Sequence, residues 1–171
     1  MVSALGVQPH RQLLGVVHTF GKAVGLHGAA LMTSHASLIG TMLNYTRPFI
    51  YSTSLPVSSV RAVRVAYDAM AEAHSERAKL TQLVAVFRAE CEALSLDILP
   101  SSSPIQGVLI PSNHAVVRAA NLVRQGGYTC LPIRAPTVPE GEERLRIVLH
   151  AHNSEEEVRG VCRAIKNALT T

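Results

Sequence analysis

The stretch HTFGKAVGLHGAALMTS, residues 18–34, sets a single lysine in a glycine-bounded turn between two apolar runs. The run before it, QLLGVVH at 12–18, reads as a strand end, and His27 to Thr33 as a second, buried strand. Lys22 stands between Gly21 and Ala23, three residues after Thr19. An amine emerging beside apolar strands is expected to be partly desolvated and so held neutral. A neutral amine attacks a carbonyl to form a Schiff base. Thr19 brings a hydroxyl and neighbouring backbone N–H groups, a set suited to a phosphate ester. An ordinary surface-loop lysine fits the same spacing.

Downstream, Ser34 is the expected cap of a helix over 35–45, which Pro48 prevents from continuing. Residues 49–55 (FIYSTSL) read as extended and hydroxyl-rich, and Pro56 as the opening of a helix. From Val57 to Leu94 there is neither Pro nor Gly, and apolar residues recur at helical spacing. The spacing predicts one long helix, or two in tandem, linking one domain to another. A loop at 100–104 follows. Then come a strand at 106–111, a helix at 113–125 stopped by Gly126-Gly127, and a strand at 128–133. A proline-punctuated loop at 135–141 leads to a strand at 144–150, and Ser154 is the expected cap of a closing helix to about Leu169. This order predicts a small α/β sandwich with helices on one face of a mainly antiparallel sheet. The first 50 residues, by contrast, hold two strands of a sheet whose other strands do not occur in the chain. Two strands with both faces apolar cannot bury themselves, so other polypeptide is expected to cover them.

The chain has 171 residues, of which 47% are hydrophobic and only 16% charged, with a formal charge of +4. That excludes a disordered tail and suggests apolar surface reserved for an assembly. The basic residues are mostly Arg, scattered among Glu and apolar residues, and Trp is absent, so a nucleic-acid-binding surface is not expected. No apolar run is long enough to span a membrane and no leader opens the chain, which reads as soluble and intracellular. Cys91, Cys130 and Cys162 are odd in number and far apart, the pattern of buried free thiols. His150 and His152 could share one strand face, but no third ligand stands near them, and no metal is expected.

Three segments in order, HTFGKAVGLHGAALMTS at 18–34, RPFIYSTSLP at 47–56 and IRAPTVPEGEERLRIVLHAHNSEEEV at 133–158, resemble the pyridoxal-phosphate (PLP) dependent α-oxoamine synthases. The resemblance is nearest to the biotin-synthesis branch of that family. It implies an α/β chain that is the C-terminal part of a fold type I PLP-dependent transferase. The implied parts are the end of the large-domain sheet with the cofactor lysine (1–55), a long linking helix (56–94) and a small C-terminal α/β domain (95–171). By the same resemblance Lys22 is the lysine that holds PLP and moves the substrate α-proton, and Thr19 hydrogen-bonds the cofactor phosphate. Ser52 and Thr53 match a segment that reaches the phosphate in the opposite subunit, so a homodimer is implied. Thr137 matches a substrate-contacting threonine, and Arg146 the arginine that pairs with the amino-acid carboxylate. A planar guanidinium suits that task. Both Arg144 and Arg146 alternate with Leu145 and Ile147, however, and fit the polar face of a strand equally well. Ser52 and Thr53 likewise fit a turn before the Pro56 helix.

The implied reaction joins an amino acid, expected to be alanine, to an acyl-CoA, expected to be pimeloyl-CoA, with loss of carbon dioxide, in the cytoplasm. The chain departs from the family in lacking a histidine to stack on the cofactor ring and an aspartate for its nitrogen. His10, His18 and His27 are in other contexts, and no acid precedes Asp68. The chain is therefore expected to be a truncated form. Two other readings stay open: a non-catalytic remnant that acts as a binding or dimerisation module, and a glycine-using relative in the same family.

Overall fold

The structure, a computed structural model, describes residues 13–170, so Gln12 and His10 lie outside the described residues. The chain divides between Glu72 and Ala73 into two compact units.

The first unit begins with an antiparallel pair, β1 (Val16–Thr19) and β2 (Ala29–Met32), in the register Val16↔Met32 to Thr19↔Ala29. The connection is closed by three backbone bonds: Phe20 N–H to Gly28 O, Leu26 N–H to Phe20 O and Gly25 N–H to Lys22 O, all 2.8–2.9 Å. Gly25 (φ 67°) and Gly28 (φ 107°) take the left-handed conformations that let the chain reverse. Helix α1 (Ala36–Tyr45) follows, but Ser34 does not cap it. The Thr33 hydroxyl instead accepts the His35 N–H at 3.1 Å.

Residues 49–52 are a turn rather than extended chain. The Phe49 and Ile50 N–H groups reach back to Thr46 O, Ser52 N–H to Phe49 O, and Tyr51 sits at φ 59°. Thr46 can accept these bonds because Pro48 keeps α1 from continuing through it. Helix α2 (Val57–Glu72) starts directly after Pro56, whose carbonyl accepts the Ser59 and Val60 N–H groups. Among the described residues of this unit Phe20 alone is a buried hydrophobic residue. The strand expected to be buried is not: Leu31 and Met32 are exposed. A two-stranded ladder offers two faces, and the described residues do not cover both.

The second unit opens with α3 (His74–Ala93), so the Pro- and Gly-free stretch forms two helices broken at Ala73. A three-stranded antiparallel sheet follows, ordered β3 (Ile105–Leu109), β5 (Arg144–Val148), β4 (Leu131–Ile133). Helices α4 (Asn113–Gln125) and α5 (Glu155–Thr170) complete the unit. The ends of α4 lie where expected. The Ser112 Oγ accepts the Ala115 N–H at its start, and Gly126 and Gly127 (φ 89°) end it. Ser154 caps α5 reciprocally with Glu157: Glu157 N–H to Ser154 Oγ at 3.2 Å, and Ser154 N–H to Glu157 Oε2 at 2.8 Å.

One core joins α3, α4, α5 and one face of the sheet, centred on Phe87, Cys91, Leu145 and Ile165. Burying Phe87, Leu145 and Ile165 contributes roughly 1.5–3 kcal/mol for each. The three cysteines are buried and free, and Cys91 Sγ lies 3.6 Å from Cys162 Sγ. Strand β5 ends at Val148, before His150 and His152. Their rings stack at 5.0 Å in the turn after it rather than along a strand face.

Candidate functional site

The lysine turn is built by the β1–β2 pair. Alternation along β1 sends Val16 and His18 to the covered side and leaves Val17 and Thr19 exposed. Thr19 is therefore the last β1 residue, with its hydroxyl open to solvent, and Lys22 is exposed in the turn three residues on. The expected desolvation of Lys22 is not present among the described residues, because nothing apolar closes over the turn. Space around it is open: a Cβ at Gly25 would meet nothing within 4 Å, and one at Gly21 only the Leu26 O at 3.8 Å. The position thus offers a primary amine and a hydroxyl at the same edge of the hairpin, with room for a planar group beside them. An amine suits an aldehyde and a hydroxyl a phosphate ester.

Ser52 ends the 49–52 turn, Thr53 follows it, and both are exposed. No hydrogen bond joins either side chain to Lys22 or Thr19 among the described residues. Strand β2 and helix α1 flank a cleft of about 440 Å³ lined by Leu31, Ile39, Met42, Leu43 and Phe49.

In the second unit, Leu145 and Ile147 point into the core, which turns Arg144, Arg146 and Val148 to the open face of the sheet. Arg146 lies in the central strand between Gly107 on β3 and Leu131 on β4. Its guanidinium makes no hydrogen bond or ion pair among the described residues, whereas Arg144 is occupied by the Glu142 carbonyl and carboxylate. The two arginines that the sequence left equivalent are therefore separated by the structure: one is engaged and one is free. Thr137 is exposed in the loop between β4 and β5, where its N–H bonds the Arg134 carbonyl.

Two features beside these residues were not legible in the sequence. Leu99 packs over Gly107, directly across the ladder from Arg146, and a Cβ there would lie 2.9 Å from Leu99 Cδ1. The segment bearing Leu99 is held by Arg88 of α3, whose Nη1 donates to Leu99 O (3.2 Å), Ser101 O (3.3 Å) and Gln106 Oε1 (3.3 Å). Buried Gln106 donates in turn to Ser101 O and Ser103 O. The only signal for this in the sequence is a glutamine in an otherwise apolar strand. The second feature is Tyr67 on α2, whose hydroxyl hydrogen-bonds His18 Nδ1. Among the described residues no group of three His, Cys, Asp or Glu is placed to hold a metal ion, and no helix is long and apolar enough to cross a membrane.

The chain is 40% identical over 150 residues to the 8-amino-7-oxononanoate synthase of Stenotrophomonas maltophilia, covering 88% of this chain and 37% of that protein. Among solved structures, the 8-amino-7-oxononanoate synthase of Francisella tularensis superposes with a TM-score of 0.84 at 23% identity, over 94% of this chain and 47% of that one. A structure described as SPT with PLP internal aldimine gives 0.87 at 24% identity, over 98% and 42%. These two share the mixed α/β fold over most of the chain. The chain spans about two-fifths of the length of the curated relatives that it matches. Residues 2–165 match the family model described as aminotransferase class I and II. With the match running from the lysine turn through Arg146, the chain belongs to the aminotransferase class I and II family, in which the curated relatives it matches are α-oxoamine synthases.

Proposed function

We propose that this chain supplies the lysine-bearing and arginine-bearing part of a PLP-dependent acyltransferase of biotin synthesis. The reaction condenses an amino acid, alanine, with an acyl-CoA, pimeloyl-CoA, with loss of carbon dioxide. The observation that carries this reading is Lys22, exposed in the β1–β2 turn with the Thr19 hydroxyl at the same edge, in a chain 40% identical over 150 residues to an 8-amino-7-oxononanoate synthase. The residues present fit the aldehyde and phosphate ends of PLP, and the space beside Gly21 and Gly25 is open. When bound, PLP supplies an electron sink for negative charge at the amino-acid Cα.

The chain's own residues then have these roles. Lys22 Nζ would hold the group at its aldehyde end and would take the proton from the amino-acid Cα. Thr19 donates its hydroxyl to a phosphate oxygen. Ser52 and Thr53 reach the phosphate in a second subunit, so the working form is a homodimer. Arg146, free of other anions, grips the substrate carboxylate with two parallel N–H bonds, and Thr137 borders the same substrate. A bidentate grip on the carboxylate limits how that end of the substrate can turn. The first 67 residues contain no Asp or Glu. The domain roles expected for 1–55, 56–94 and 95–171 and a cytoplasmic location belong to the same proposal.

The exposed apolar residues of the hairpin favour a second reading, a non-catalytic module that pairs with a longer partner. Borohydride reduction of the chain with PLP, followed by peptide mass mapping, separates the two. A single pyridoxyl adduct on Lys22, lost in Lys22→Ala, supports the catalytic role. Equal labelling of Lys22, Lys79 and Lys166, or none, supports the module.

A further inference from the structure

We infer that His18 and Tyr67 are positioning residues that hold the lysine turn, an assignment that rests on the roles just given to Thr19 and Lys22. Neighbours on a strand point to opposite faces, so whatever fixes His18 also fixes the direction of Thr19. His18 is half-buried and its Nδ1 hydrogen-bonds the Tyr67 hydroxyl of α2, 49 residues away in sequence. On the other side of Thr19, Phe20 is buried, and its N–H and carbonyl close the turn through Gly28 and Leu26.

The three rings meet edge to face, with centroids 5.9 Å apart for His18–Phe20, 5.5 Å for His18–Tyr67 and 6.3 Å for Phe20–Tyr67. Ring contacts of this kind tolerate sliding. A hydrogen bond fixes both distance and direction. The phenol–imidazole bond therefore sets the position of β1 along α2. Thr19, held between two anchored neighbours, presents its hydroxyl at a fixed place relative to Lys22. The ring faces alone would hold β1 near α2 without fixing that register.

Tyr67→Phe keeps the ring packing and removes only this bond. In the 171-residue chain, amide hydrogen exchange is expected to quicken about fivefold at Phe20, Gly25 and Leu26, the N–H groups that close the turn. Amides of α1 are expected to stay unchanged. The PLP concentration giving half-maximal borohydride trapping at Lys22 is expected to rise by a similar factor. Unchanged exchange at the three turn amides overturns the inference, and so does an acceleration spread equally over α1, which would mark Tyr67 as a general stabiliser. If wild type gives no specific Lys22 adduct while the turn amides still respond, the clamp on the turn stands and the PLP reading falls. If wild type labels Lys22 and the Tyr67→Phe chain does so at the same PLP concentration with the same exchange, the clamp falls and the PLP reading stands.

Discussion

Gly160 lies in the middle of α5, where a glycine costs roughly 1 kcal/mol relative to alanine. On helix propensity alone Gly160→Ala should stabilise the chain. The structure argues the opposite. A Cβ at this position would lie 2.0 Å from the Tyr128 hydroxyl oxygen and 2.8 Å from Cζ of the same ring. The ring is rigid and packs against the core, so it must swing away and give up those contacts. Overpacking of this kind costs about 1–3 kcal/mol. Taking the middle of that range against the propensity gain, Gly160→Ala should lose about 1 kcal/mol. In a Tyr128→Ala background the obstacle is gone, and the same change should gain about 1 kcal/mol, a coupling of about 2 kcal/mol. Urea unfolding followed by far-UV circular dichroism on the four proteins of this cycle gives all the quantities. Stabilisation by about 1 kcal/mol in both backgrounds would refute the reasoning, since it would mean that the ring relaxes at no cost.

Glu90 is held below the usual carboxylate range, first by its hydrogen bond from Arg159 and further by Arg163. A carboxylate lowered in the folded state contributes stability at pH values above its unfolded pKa, and that contribution is lost as pH falls through the folded value. Glu90→Gln should therefore destabilise at neutral pH and reduce the acid sensitivity of unfolding, as read from midpoints across a pH series. The Cys162 thiol is pushed up by its hydrogen bond with Cys91 and by burial, and burial raises Cys130 as well. The three thiols should resist an aromatic disulfide reagent such as DTNB in the native chain and react in 6 M guanidinium. Rapid native reaction at Cys91 or Cys162 would contradict the packing of α3 against α5.

The parts of this structure legible in the sequence are those set by neighbours in the chain. Helix α4 ends where Gly126-Gly127 act on the backbone beside them, and the reciprocal Ser154–Glu157 cap is equally local. Where the decision is tertiary, the sequence misleads. The strand expected over 128–133 shrinks to Leu131–Ile133, and the Tyr128 N–H closes the end of α4 on the Val123 carbonyl instead. Residues 49–52 curl into a turn through bonds to Thr46 and a left-handed Tyr51, for which their composition holds no signal. The break at Ala73 has no Pro or Gly to mark it. The lysine turn is legible because its glycines and lysine form one contiguous segment. The Tyr67 partner of His18 is not, since a contact across 49 residues leaves no periodicity to read.

The Ser- and Pro-rich segment at 100–104 has the composition of a tether, the place where an engineer would open the chain to insert a tag or begin a shorter fragment. The bonds from Arg88 and Gln106 remove that freedom. One guanidinium nitrogen and one buried amide are matched to carbonyls of Leu99, Ser101 and Ser103, and a break there would strand a charge and a buried amide without acceptors. A fragment of the second unit is better begun upstream of Arg88, at the start of α3. A segment that looks like a seam behaves as a rivet.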